Sequence, residues 1–185
     1  DFAPITLGVI SPSVLAVHPS LPVKSVKELM AMAKARPGQL NYGSPAAGTS
    51  THLAAELLKS MAGIRIVRIP YKGGGATLND LIAGQIHMAF LIATSVSPHL
   101  KSGRLRALGV TGAEPTPQLP GVPTMASSGL PGYESLAITG MLAPAKTPEA
   151  IINRLNQEIV RVLHRPDLKE KFLSISVEAV GSTPE

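Results

Sequence analysis

The residues best suited to chemistry in this chain are small and neutral, and they gather in two elbows. Gly43-Ser44-Pro45-Ala46-Ala47-Gly48-Thr49-Ser50 precedes Leu53, Ala54, Leu57, Leu58 and Met61, the spacing of one helix face. Lys72-Gly73-Gly74-Gly75 precedes Leu78, Leu81 and Ile82 in the same way. An elbow with so little side-chain bulk lets a ligand approach the backbone closely. The helix that follows leaves its first N–H groups unpaired, with a partial positive charge at that end. The chemistry this favours is the seating of an anion. A second reading needs no ligand: Thr49 or Ser50 as a helix cap stabilises by about 1 kcal/mol on its own.

Other constellations compete. Ser44, His52 and Asp80 supply the residue types of a hydrolase, a hydroxyl with a base beside it. There is no G-x-S-x-G elbow, however, and His52 at a helix start is equally suited to local hydrogen bonding. Lys72 precedes its glycines, the reverse of the order in a phosphate loop. The five His are scattered without metal-ligand spacing and Cys is absent, so no metal or thiol chemistry is expected, and nothing requires a cofactor. The net charge of +5 is spread without a basic run, and three Phe, three Tyr and no Trp give little to stack bases on, which makes nucleic acid a minor partner class. No stretch of about 18 apolar residues is present to span a membrane.

The elements that must carry these elbows are legible from periodicity. Ile5 to Ile10 and Val14 to Val17 read as one interrupted strand or two. Ser25-Val26-Lys27-Glu28 is a capping box, opening a helix with Val26, Leu29, Met30 and Ala33 on its buried face. Strands are expected at the start of the first elbow, at Arg65 to Tyr71, Ile86 to Ile92, Leu105 to Thr111, Leu136 to Ala143 and Val177 to Val180. Helices are expected after each elbow, at Ser95 to Ser102, after Thr147-Pro148-Glu149, and at Asp167 to Leu173. Pro115, Pro117, Pro120, Pro123 and Pro131 break a long connection. The alternation predicts an α/β fold with a parallel sheet covered by helices on both faces. In such sheets ligands sit beyond the carboxyl ends of the strands, where both elbows fall.

Four blocks in order, NYGSPAAGTSTHLAAELLKSMAG, IPYKGGGATLNDLIAGQIHMAF, LKSGRLRALGVTG and LPGVPTMASSGLPGYE, resemble the Bug-type receptors of tripartite tricarboxylate transporters. The resemblance implies a periplasmic, non-enzymatic solute-binding protein of the type II periplasmic-binding-protein class. It would hold a small carboxylate in a cleft between two lobes and deliver it to membrane permease subunits. Matched to the blocks, residues 14–134 would form the second lobe, and residues 1–13 with 135–185 the hinge strands and a partial first lobe. The N-terminal part of that first lobe and a signal peptide are expected to be missing, and a homodimer could then cover the open sheet edge. The ligand contacts implied are Ser44, the backbone of Ala47, Gly48, Thr49 and Ser50, the Thr49 and Ser50 hydroxyls, His52 at the cleft wall, and the turn Tyr71, Lys72, Gly73. Leu91 stands where relatives commonly carry Asp, which implies a ligand less polar at that end or an altered specificity; it is equally suited to plain strand core. A small hydrolase using Ser44 and His52 is the alternative.

Overall fold

A computed structural model of the chain describes residues 1–175 and 177–184; Ser176 and Glu185, both in the expected 135–185 segment, lie outside that description. The chain divides into two compact units, Pro12–Leu136 and a smaller one made of Asp1–Ser11 with Ala137–Glu185.

In the larger unit, β1 (Phe2–Val17) contributes its last residues, followed by α1 (Val26–Ala35), β2 (Asn41–Ser44), α2 (Ser50–Ala62) and β3 (Val67–Pro70). Then come α3 (Gly74–Ile82), β4 (Met88–Ile92), α4 (Ala93–Lys101) and β5 (Arg106–Val110). The strand order is β3-β2-β4-β1-β5. β2 runs parallel to both β3 and β4, as the alternation predicts. β1 is the correction: it lies antiparallel between β4 and β5, pairing Leu15 with Phe90 and Val14 with Val110. Counting alternating elements cannot see this. The segment from His18 to Ser25, with Pro19 and Pro22, lets the chain reverse before α1, and β1 pairs with two strands that come much later in sequence.

Alternation along the strands sends side chains to two cores. Leu15, Val17, Tyr42 and Phe90 pack with Leu29 and Leu58 of α1 and α2. Val14, Ala16, Ala89 and Leu91 pack with Leu81 and Val96 of α3 and α4. Helices therefore cover both faces, and each strand residue is committed by the period of two. Half of the capping box forms as read, with Glu28 N–H donating to Ser25 Oγ at 3.2 Å, while the Glu28 carboxylate accepts from Lys24 N–H, one residue before the cap, at 2.7 Å. The buried stripe of α2 is displaced by one residue from the expected one: Ala54, Ala55, Leu58 and Ala62 face inward, while Leu53 is 54% exposed. Small Ala side chains let α2 lie close to the sheet, and Leu53 is left at the rim of the first elbow. Gly43 serves close packing on the α3 side, since a Cβ there would stand 2.5 Å from Ile86 Cδ1 and 2.7 Å from Thr77 Cγ2.

In the smaller unit the first part of β1 pairs with β6 (Leu136–Pro144) and with β7 (Glu178–Ala179). α5 (Glu149–Leu163) and α6 (Pro166–Leu173) complete it. Its helix α5 begins one residue later than Thr147-Pro148-Glu149 suggests, with Pro148 rather than Thr147 at the cap position. The core is slight: Ile5, Ala143 and Ile152, with Asn156 Nδ2 donating to Ile5 O and Ser182 O at 2.8 Å each. Of the expected α5 stripe, Ile152 and Leu163 are buried, whereas Ile151, Leu155 and Val162 are exposed.

Candidate functional site

Because β2, β3 and β4 are parallel, Ser44, Pro70 and Ile92 end at one edge of the sheet, and both elbows leave from it. A cavity of about 250 Å³ opens there. Pro45 and Thr51 line it from the first elbow; Gly74, Gly75 and Leu78 from the second; Phe90, Leu91 and Ile92 from β4; and Ser95 from α4.

The first elbow is built around a residue that sequence reasoning missed. Arg68 of β3 donates from Nε to Ser44 Oγ at 2.7 Å, and from Nη2 to the carbonyl of Pro45. Tyr71 N–H donates to Ser44 O at 2.9 Å, so the elbow is bolted to the neighbouring strand by side chain and backbone together. Arg68 forms no ion pair with a carboxylate among the described residues. Its guanidinium stays a net positive charge behind the elbow. The signal for it was one position in Arg65–Tyr71, where strand alternation places residue 68 opposite Tyr42.

Ser44 is fully buried and spent on Arg68. His52 Nδ1 accepts a hydrogen bond from Gly48 N–H at 3.1 Å, and its Nε2 lies 3.9 Å from Glu56 Oε1. The hydrolase reading fails on these facts: the hydroxyl is held by a guanidinium, and the imidazole nitrogen that would serve as base is occupied by the elbow backbone. Thr49 stands at the cap position of α2 without capping it; its Oγ1 donates to Ala46 O at 2.9 Å instead. The α2 N-terminus thus has no side-chain cap, Ala47 and Gly48 are exposed, and Thr49 and Ser50 are half-buried.

The second elbow differs. Tyr71 turns its hydroxyl to Asp80 Oδ2 at 2.7 Å, and burial together with that carboxylate raises its pKa to about 12. Both groups are therefore taken. Lys72 is exposed. Gly73 is the cap of α3 in an extended conformation that any residue adopts, and it carries no side chain to satisfy the first turn. At Gly73, Gly74 and Gly75 an added Cβ would meet no protein atom within 4 Å. Neither backbone conformation nor packing accounts for three glycines here, and those inside α3 cost about 1 kcal/mol each relative to Ala. Their effect is to leave bare backbone at a cavity wall.

Of the expected contacts, Leu91 lines the cavity and Gly73 adjoins it, whereas Tyr71 and His52 bond locally and Ser44 lies beneath. Gly74 and Gly75 of the second elbow line it too, and Thr51 and Ser95 line it without having been named as contacts. No trio of His, Cys, Asp or Glu suited to a metal occurs among the described residues.

A mixed α/β sheet with a neutral, Gly-rich cavity at the carboxyl ends of its parallel strands defines a small-molecule-binding unit of the periplasmic-binding-protein kind. The chain belongs to the tripartite tricarboxylate transporter family of receptors, whose family model matches residues 1–183. It is 38% identical over 186 residues to the UPF0065 protein in the tcbD-tcbE intergenic region of Pseudomonas sp. (strain P51), covering 100% of this chain and 55% of that protein. It is 34% identical to Protein BugT of Bordetella pertussis over 185 residues, 100% of this chain and 57% of BugT. The chain thus spans about half the length of these curated relatives. Among solved structures it superposes on R. palustris Rpa4515 with adipate at a TM-score of 0.89 and 38% identity, covering 100% of this chain and 62% of that one.

Proposed function

We propose that this chain is the ligand-binding part of a periplasmic solute receptor that captures a small organic carboxylate for the membrane permease subunits of a tripartite tricarboxylate-type transporter. The observation that carries this reading is the run Gly73 to Gly75: bare backbone at the start of α3, with Gly74 and Gly75 lining a cavity and no folding reason for glycine. One carboxylate oxygen accepts from the first turn of α3; the other accepts from the Ala47 and Ser50 N–H groups and the Ser50 hydroxyl, because Gly48 N–H is held by His52 and the Thr49 hydroxyl by Ala46 O. Neutral donors of this kind hold an anion without burying an unpaired charge beside it. Ser44 and His52 serve by shaping the first elbow, Tyr71 and Lys72 by setting the second, and Leu91 by walling the ligand. Residues 14–134 act as one ligand-binding lobe. The adipate carried by a relative of 38% identity supports a dicarboxylate as the first probe.

The test is a thermal-shift screen of the chain against di- and tricarboxylates, amino acids and aromatic acids. A ligand at 100 times its Kd adds about 2.7 kcal/mol to stability. A selective rise in Tm with carboxylates is expected. Unchanged melting in adipate and every other acid, up to tens of millimolar, overturns the reading.

A further inference from the structure

The walls of the cavity decide more than its entrance. Pro45, Leu78, Phe90, Leu91 and Ile92 present hydrocarbon, and only Thr51 and Ser95 bring side-chain polar atoms. Ser95 Oγ already donates to Ile92 O at 2.8 Å, so its proton is spent. Among the described residues, no ionisable side chain lines the cavity. The acids on the two flanking helices are committed elsewhere. Glu56 of α2 accepts from Tyr42 Oη at 2.6 Å and from Lys59 Nζ at 2.8 Å, and Asp80 of α3 accepts from Tyr71 Oη at 2.7 Å.

An ammonium group entering here would bring three donors and a charge to a wall whose side chains offer no anion, and a hydroxyl would lose its water without a full replacement. A methylene chain loses nothing and is favoured by contact with Leu78, Leu91 and Ile92. We infer that the carboxylate seated in this cavity is attached to an unsubstituted hydrocarbon segment, so that the protein selects simple aliphatic acids and rejects amino and hydroxy acids of the same skeleton. This rests on the carboxylate-receptor reading and narrows it.

The discriminating measurement is calorimetric titration with adipate, 2,5-dihydroxyadipate and 2,5-diaminoadipate, which carry their substituents at both ends and so cannot evade the cavity by turning round. Adipate is expected to bind at least ten-fold more tightly than either. Ser95→Asp places a carboxylate on the wall, in the first turn of α4 where an acid suits the helix end. It is expected to narrow the gap for the diamino acid ten-fold or more without narrowing it for the dihydroxy acid, and Ser95→Asn to do neither. Equal or tighter binding of the substituted acids, or no response to Ser95→Asp in a variant that melts normally, overturns this inference while the receptor reading stands. Binding of none of the three also overturns this inference, and the receptor reading falls with it only if the wider acid screen is silent too.

Discussion

Gly74 and Gly75 set stability against binding in a way that single substitutions expose. Both lie in helix α3 with open space where a Cβ would be, so Ala at either position should stabilise the fold by about 0.5–1 kcal/mol through helix propensity and a less entropic unfolded chain. The same methyl stands where the proposed ligand would approach the backbone. Gly74→Ala and Gly75→Ala are therefore expected to raise Tm and weaken carboxylate affinity together, read by melting and titration on the same samples. A variant that gains stability and keeps full affinity takes the α3 N-terminus out of the site. Arg68 behaves oppositely. Its two hydrogen bonds hold Ser44 and Pro45, and Arg68→Ala should cost about 1–3 kcal/mol by leaving buried Ser44 without its charged partner. His87 carries a pH dependence. Its backbone N–H donates to Asn41 Oδ1 at 2.9 Å and its Nδ1 accepts from Asn41 N–H at 3.1 Å. Protonation would exchange that second bond for one to Asn41 Oδ1, 2.8 Å away, so burial decides the direction, and it lowers the pKa below the ordinary 6.5. The unfolded chain then binds more protons than the folded one. The contribution of His87 is whole above pH 6.5 and falls as pH drops through 6.5 toward the lower folded value. His87→Gln should flatten the decline in Tm between about pH 7.5 and 5.5.

At the scale of elements, the site is two strand-to-helix elbows held in register by β3. Tyr71 N–H to Ser44 O and Arg68 to Ser44 Oγ tie the first elbow to the strand that ends in the second, so the two helix N-termini are fixed relative to one another before any ligand arrives. The hydroxyls of Thr49 and Ser50 are not needed to hold α2, since no side chain caps it. Thr49→Val with Ser50→Ala should therefore leave the melting temperature within about 0.5 kcal/mol of unmodified protein and reduce affinity several-fold. Unchanged affinity in that double variant would confine ligand contact to α3. These elements were readable early because their signals are local: the capping box at Ser25, the Gly63 stop of α2 in left-handed conformation, and the apolar run of β4 each depend on a few adjacent residues.

Over the whole chain, the two units differ in how far their sequence is satisfied. The larger unit commits almost every apolar strand residue to one of two cores. The smaller has Ile5, Ala143 and Ile152 buried, with Phe2, Ile138, Leu142 and Ile151 at least half exposed. The periodicity of α5 therefore announced a buried stripe that is only partly covered. What the amino-acid sequence determined by itself was the succession of elements and the two bare elbows, because helix and strand periods, caps and glycines act over a few residues. What only the tertiary structure decided was the antiparallel course of β1, the inward turn of α2 by one residue, and the fates of individual polar groups. Ser44 went to Arg68, His52 to Gly48 and Tyr71 to Asp80, and Leu91 and Ser95 came to share a wall. Those outcomes depend on which strands lie side by side, and strand order is set by contacts between residues far apart in the chain that no local pattern encodes.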